Sequence, residues 1–287
     1  MALNIETFKT RALTAVVFVV IMLAGLLWNQ WSFLLLFSVI HFGCWTEYQR
    51  LVAKIDPVYG SITPLHKYSI MIIGWSLMLW MADDTFNTGG KVIHEWGRAI
   101  CLVVSTVFLA AEIVFKKRLN PKLIAYSLAG LIYISLSWAL MVQLRGLIAY
   151  DVLGSHGWLL PVVIIASIWI NDTMAYIVGS FIGRTPFSSI SPKKTWEGTL
   201  GGALLAVVAI ACLGHYTCGL DWKPLLWISA VAAVTGTAGD LLESKLKRLA
   251  GVKDSGSIMP GHGGFLDRFD SLLLATPFVW LVVKLIL

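Results

Sequence analysis

Nine apolar windows, each near the length that crosses a bilayer core, take up most of this chain and decide what it can fold into. Their soft limits are 12–28, 31–46, 68–82, 99–115, 123–144, 158–182, 199–215, 224–238 and 271–287. A helix of roughly 17–25 apolar residues spans the hydrocarbon. Lipid offers no hydrogen bonds to the backbone, so each window must satisfy its own N–H and C=O groups, as a helix does. The expected fold is therefore all-α, a polytopic integral membrane protein with about nine transmembrane helices. With 57% hydrophobic and only 13% charged residues, a soluble domain of 287 residues is excluded, because it would need far more polar surface.

Lys9 and Arg11 precede the first window, as in a signal peptide. No small-residue cleavage site follows, and Asn29-Gln30 leads straight into the second window, so a retained helical hairpin is expected. Of the 22 Lys and Arg residues, 17 fall in connectors on the N-terminal side of this layout and 5 on the other. Cytoplasmic loops are enriched in these residues, which places the N-terminus and the polar loops in the cytoplasm and the C-terminus outside. The net charge of +6 is spread over several segments, a pattern suited to anionic headgroups and phosphates and not to nucleic acid. Cys44, Cys101, Cys212 and Cys218 form no CxxC pair and read as small buried hydrophobes, with neither a disulfide framework nor a zinc site.

Two regions differ in character. Residues 1–150 alternate apolar helices with short connectors, carry few convergent polar groups, and read as membrane anchoring, packing and subunit contact. Asp83-Asp84 and the basic run at 116–118 read as solvated loop charges. Residues 151–287 place polar groups within or beside the windows and form the expected catalytic region, its active-site loops on the cytoplasmic side.

Four constellations stand out there. Asn171 and Asp172 lie inside the sixth window, where an ionised carboxylate costs several kcal/mol unless it is partnered or faces water; Tyr176, at i+4, shares its face. In the run from Ser189 to Gly198, Ser191-Pro192 forces an extended or turn conformation and presents Lys193 and Lys194 beside a helix start that Thr195 can cap. That arrangement suits phosphate, although a lysine pair at a membrane surface also serves as a simple orientation marker. From Gly239 to Gly251 the eighth window should continue as a helix into the cytoplasm, with Asp240, Ser244 and Lys247 on one stripe, Glu243 beside it, and Leu242, Leu246 and Leu249 on another. An interfacial amphipathic helix accounts for the leucines and lysines but not for Asp240 at the lipid end. Last, residues 251–270 hold five glycines, three acids, Lys253, Arg268 and His262, and end at Asp267 and Asp270. Those two acids share a helix face, where they can cap the helix or complement its dipole. With Asp240 they also make a hard oxygen set suited to a magnesium ion that keeps waters and phosphates.

The stretch Ser244 to Asp270 resembles the signature of the phosphatidate cytidylyltransferases, or CDP-diacylglycerol synthases. The matching residues are Ser244, Lys247-Arg248, Lys253-Asp254, Pro260, His262-Gly263-Gly264 and Asp267-Arg268-Phe269-Asp270; the upstream segments SPKKTWEG and GDLLES also resemble the family, so the likeness runs from about Asp172. It implies transfer of CMP from CTP to phosphatidate, giving CDP-diacylglycerol and pyrophosphate. It further implies a Mg2+ requirement with K+ as a second ion, and a homodimer among the lipids of a bacterial inner membrane. Asp240 and Asp267 would hold metal, with Asp270 and Asp172 as further ligands or neighbours. The implied catalytic set is Asp240, Asp267, Lys253, Arg268 and Asp270. The implied substrate-binding set is Ser191, Lys193, Lys194, Glu197, Ser244, Lys247, His262, Gly263 and Gly264. The lipid phosphate is already ionised at neutral pH, so such a site works by positioning and charge neutralisation, without a strong base.

Rival readings are weaker. A transporter or proton channel would use Asp172 but leaves the 20-residue polar stretch without a purpose. A phosphotransferase that joins CDP-linked donors to alcohols would show a DGxxAR-type acidic motif, which the sequence lacks. A scaffold would give no role to so many ionisable groups beside lipid.

Overall fold

Helix starts in this chain are set by short polar side chains followed by proline or a polar first turn. Asn29 accepts from Ser32 N while Ser32 reaches back to Asn29 N; Asp56 accepts from Val58 N, Thr63 from His66 N and Asn120 from Lys122 N, the last three each preceding a proline. The computed structural model describes residues 5–88, 90–115, 120–146, 158–258 and 263–285. The helices are α1 Ile5–Leu27, α2 Gln30–Ile55, α3 Pro57–Gly60, α4 Pro64–Trp80, α5 Ile93–Phe115, α6 Pro121–Gly130, α7 Ser137–Gly146, α8 Leu160–Ile182, α9 Trp196–Cys218, α10 Trp222–Leu249 and α11 Leu266–Leu285. A π-helical turn, Leu131–Leu136, joins α6 to α7, and an antiparallel ribbon pairs β1 Asn87–Thr88 with β2 Lys91–Val92.

Every one of the nine apolar windows falls on a helix, so the all-α expectation holds. Among the described residues five stretches, Ile93–Val114, Pro121–Gly146, Leu160–Ile182, Trp196–Cys218 and Trp222–Leu249, are long and apolar enough to cross a membrane, as befits an integral membrane protein. The other windows fall on helices that are shorter or more charged. The apolar part of α1 is Ala12–Leu27, α4 has 17 residues, α2 carries Glu47, Arg50 and Lys54, and α11 carries Asp267, Arg268, Asp270 and Lys284.

The chain divides into two compact units. The first comprises Met1–Ala139 with Leu249–Phe269, and the second Leu140–Arg248 with Asp270–Leu287. Residues 249–269 thus belong with the N-terminal helices, unlike a division of the sequence at residue 150.

In the first unit, Phe33, Phe37, Trp45 and Trp138 are fully buried, with Phe37 centred 5.1 Å from Trp138. Polar groups are buried among them. The Ser135 hydroxyl, carried by the π-helical turn, accepts from Trp45 Nε1 at 2.8 Å and meets His41 Nε2 at 3.1 Å. His66 lies between Glu112 (3.3 Å) and the Ser127 hydroxyl (2.8 Å), all three buried. The expectation of few convergent polar groups in this half is therefore corrected. The partners stand dozens of residues apart in sequence, beyond the reach of any local pattern.

In the second unit, α8 and α9 approach through glycines. A Cβ on Gly202 would lie 2.7 Å from Asn171 O and Ala175 N, and one on Gly198 would lie 2.7 Å from Ala175 O and 2.9 Å from Gly179 Cα. The rising numbers on α9 match falling numbers on α8, so the helices run antiparallel with backbones in contact, as small residues allow in membranes. Helix α10 has 28 residues, roughly 42 Å at 1.5 Å per residue, against a hydrocarbon core of about 30 Å. One unbroken helix therefore carries Asp240 to Lys247 beyond its apolar part, as the sequence predicts. It approaches α11 at Gly239, where a Cβ would lie 2.6 Å from Asp270 O.

Gly202→Val should destabilise the protein by about 1–3 kcal/mol through overpacking against backbone. Gly60→Ala, whose new Cβ meets only Ala53 at 3.6 Å, should be neutral. Thermal unfolding midpoints in detergent check both, and equal midpoints would refute the close α8–α9 contact.

Candidate active site

In the first unit, the polar stretch that follows α10 folds around two carboxylates. Asp267, in the first turn of α11, accepts at Oδ2 from Ser255 N at 2.8 Å, from Gly264 N at 2.8 Å and from the Ser255 hydroxyl at 2.9 Å. Glu47, from α2, accepts at Oε1 from Phe265 N and at Oε2 from Leu266 N, both at 2.9 Å, and at Oε2 from the Ser255 hydroxyl at 2.7 Å. The first N–H groups of a helix have no partner within it. Here Glu47 supplies that partner for α11 from a helix some 200 residues earlier. Gly264 permits the approach, since any Cβ there would run into the Glu47 carboxylate. Lys253 and Arg268 are exposed on the same segment.

In the second unit, the connector between α8 and α9 is closed by a bridge between Pro186 and Thr195. Phe187 N donates to Lys194 O at 2.8 Å, Trp196 N to Thr185 O at 2.9 Å, and Lys194 N to Ser191 O at 3.1 Å. Thr195 caps α9 through Gly198 N, as expected. The closed loop leaves Lys193 exposed and directs Lys194 onto Asp240, with which it forms an ion pair. Asp240 also lies 3.5 Å from the Ser244 hydroxyl and beside the Asp270 carboxyl. Asp172 feels both the Lys194 charge and the Asp240 charge. Asp172 and Asp240 thus share the charge of Lys194, and Asp240 in turn neighbours Asp270. Two carboxyls as close as Asp240 and Asp270 need a proton or a cation between them.

The model of the cytidylyltransferase family matches residues 9–286. The chain belongs to the cytidylyltransferase family. The phosphatidate cytidylyltransferase of Synechocystis is 44% identical over 140 residues, covering 46% of this chain and 45% of the relative. The chloroplastic phosphatidate cytidylyltransferase 4 of Arabidopsis thaliana is 34% identical, covering 66% of this chain and 54% of the relative. The matches therefore span about half the length of these two relatives. The phosphatidate cytidylyltransferase of Staphylococcus saprophyticus is 28% identical over 94% of this chain and 97% of its own length.

Several residues of this family member stand differently from what their motifs suggest. Glu197 accepts from Arg184 N, Thr185 N and the Thr185 hydroxyl, so it holds the turn after α8. Lys247 is tucked against Glu243, which is fully buried, one turn back on α10. The N–H of Gly264 is engaged by Asp267 Oδ2 at 2.8 Å. Tyr176 is 77% exposed and makes no hydrogen bond to Asp172, which accepts instead from Asn171 Nδ2 at 3.3 Å. Helical spacing put Tyr176 on the right face, but its ring turns to the apolar surround. His262 and Pro260 lie outside the described residues.

Sequence reasoning missed Glu47 and Ser255. Glu47 immediately follows the second window, and the helix runs on to Ile55; an acid one residue beyond an apolar run was the available signal. Among the described residues no three His, Cys, Asp or Glu side chains are grouped to hold a metal ion; Asp240 and Asp270 form a neighbouring pair of carboxyls. That pair still fits magnesium, which typically takes one or two carboxylates and completes its shell with water and phosphate. Asn171 adds an oxygen, since its Oδ1 is buried and has no hydrogen-bond partner.

Glu197→Ala should release the turn it organises. Amides of residues 184–196 are expected to exchange at least about tenfold faster once their shared acceptor is lost, and trypsin should cut at Lys193 or Lys194. Protection and resistance equal to wild type would show that the carboxylate does not hold the loop.

Proposed function

We propose that the chain is a CTP:phosphatidate cytidylyltransferase. The observation that carries this is end-to-end likeness to a protein of that name, 94% of this chain against 97% of the staphylococcal relative. The geometry supports it: ionic groups are held in fixed arrangements beside helices apolar enough for lipid, which suits one substrate that lives in the bilayer and one that is a soluble polyanion.

In the reaction, an ionised phosphate oxygen of phosphatidate bonds to the α-phosphorus of CTP. The bond from that phosphorus to the oxygen bridging the β-phosphate breaks, and pyrophosphate leaves with the electron pair. The nucleophile needs no deprotonation, so the chain's task is to align two anions and offset their repulsion. Magnesium, when bound, supplies charge neutralisation on the triphosphate. Asp240 and Asp270 are the residues to hold it, with Asp172 and the Asn171 carboxamide oxygen beside them; potassium belongs to the proposal as a second ion. Lys193, Lys253 and Arg268, all exposed, take phosphate oxygens. Lys194 is the cation that exchanges its carboxylate partner for a phosphate. Ser244 orients Asp240, and Asp267 acts by ordering Ser255 and Gly264. The N-terminus and the polar loops face the cytoplasm of a bacterial membrane, in keeping with the 17 of 22 basic residues on that side, and two chains pair as a homodimer.

The test is incorporation of radiolabelled CTP into lipid by purified protein in detergent, with and without phosphatidate and magnesium. Label should enter lipid only when both are present, and Asp240→Asn should lower the rate by about 100-fold or more, the scale of losing a group that offsets charge in the transition state. Absence of label with folded wild-type protein would overturn the assignment. Full activity of Asp240→Asn would overturn the metal reading alone.

A further inference from the structure

We propose that Glu47 is a positioning residue for nucleotidyl transfer, acting through the 255–266 loop from a helix outside the signature region; this rests on the transferase reading above. Glu47 is 4% exposed, and all its hydrogen-bond partners among the described residues, Ser255, Phe265 and Leu266, come from that loop. Burying a carboxylate is costly unless donors surround it. A leucine at position 47 would serve packing at no such cost, so the acid is there for what it holds.

What it holds is continuous with Asp267. The three successive amides 264, 265 and 266 are divided between the two acids, Gly264 N going to Asp267 and Phe265 N and Leu266 N to Glu47. The Ser255 hydroxyl lies between the two carboxylates, 2.7 Å from Glu47 and 2.9 Å from Asp267. The loop is also shaped to the carboxylate, because a Cβ on either Gly256 or Gly264 would collide with it. Removing Glu47 leaves two helix-end amides without an acceptor and frees one side of Ser255. Lys253 and Arg268, which flank this fold in sequence, then lose the frame that fixes their backbone.

The test compares Glu47→Ala and Glu47→Gln in the full chain, with Glu112→Gln as a control that removes an equally buried carboxylate paired with His66 and away from the loop. Steady-state kinetics, hydrogen exchange and thermal midpoints are measured together. Glu47→Ala is expected to lower kcat at least tenfold, with a smaller change in KM for CTP. Amides 255 and 264–266 should exchange faster while those of α8 and α9 stay as in wild type. Glu47→Gln, which keeps one acceptor oxygen, should fall between, and Glu112→Gln should leave the loop amides unchanged. Wild-type kcat in Glu47→Ala, or loop protection equal to wild type, overturns the proposal. So does a loss of activity matched by faster exchange throughout the unit and an equally lowered midpoint, which marks a fold defect only. A wild-type protein that turns over no CTP defeats the transferase reading instead, and the exchange arm then still decides whether Glu47 holds the loop.

Discussion

A carboxylate that water cannot reach has to be surrounded by donors from the chain itself, and the polar architecture of this protein follows from that need. Buried Glu47 is met by backbone amides and a serine and buried Glu243 by Lys247, while the half-buried Asp267 takes amides and the same serine and the half-buried Asp240 takes Lys194. Each solution fixes a different piece of chain: a loop, a helix start, a connector, a helix turn. The apolar helices provide the low-dielectric setting in which such contacts are strong. The acids in turn dictate where irregular backbone can lie next to those helices, because loops beside lipid survive only when their polar groups are taken up.

The small residues have a matching role. At Gly198 and Gly202 the backbones of α8 and α9 touch, and this holds Asn171 and Asp172 against the start of α9, whose Thr195 and Glu197 close the lysine-bearing connector. At Gly239 the approach of α10 to the Asp270 backbone brings two acids within reach of each other. Packing without side chains is thus what sets the spacing of the charged ones.

The helices were legible because the solvent they face imposes a coarse code. Nine apolar windows predicted helix in nine places, and the cap at Thr195 and the unbroken α10 followed from local chemistry. The number of spans was less legible: α2 and α11 combine apolar length with charges, and composition alone does not say which tendency prevails. In the site, contacts a few residues apart, such as Asp240 with Ser244, were readable from helical spacing. Glu47 with Leu266 was not, since 219 residues separate them and nothing in either neighbourhood names the other. Glu197 shows the opposite failure. Its motif was recognised, yet the motif does not tell whether an acid faces a ligand or ties down its own loop.

Ser255 has one hydroxyl hydrogen and two carboxylates competing for it. Asp267 Oδ2 already receives two amides, while Glu47 Oε2 receives one and stands nearer to the hydroxyl. The hydroxyl therefore ties the two carboxylates into one cluster, standing within hydrogen-bonding distance of both. A displacement of α2 is thus passed through one hydroxyl to the loop's aspartate, although the two acids stand far apart in sequence.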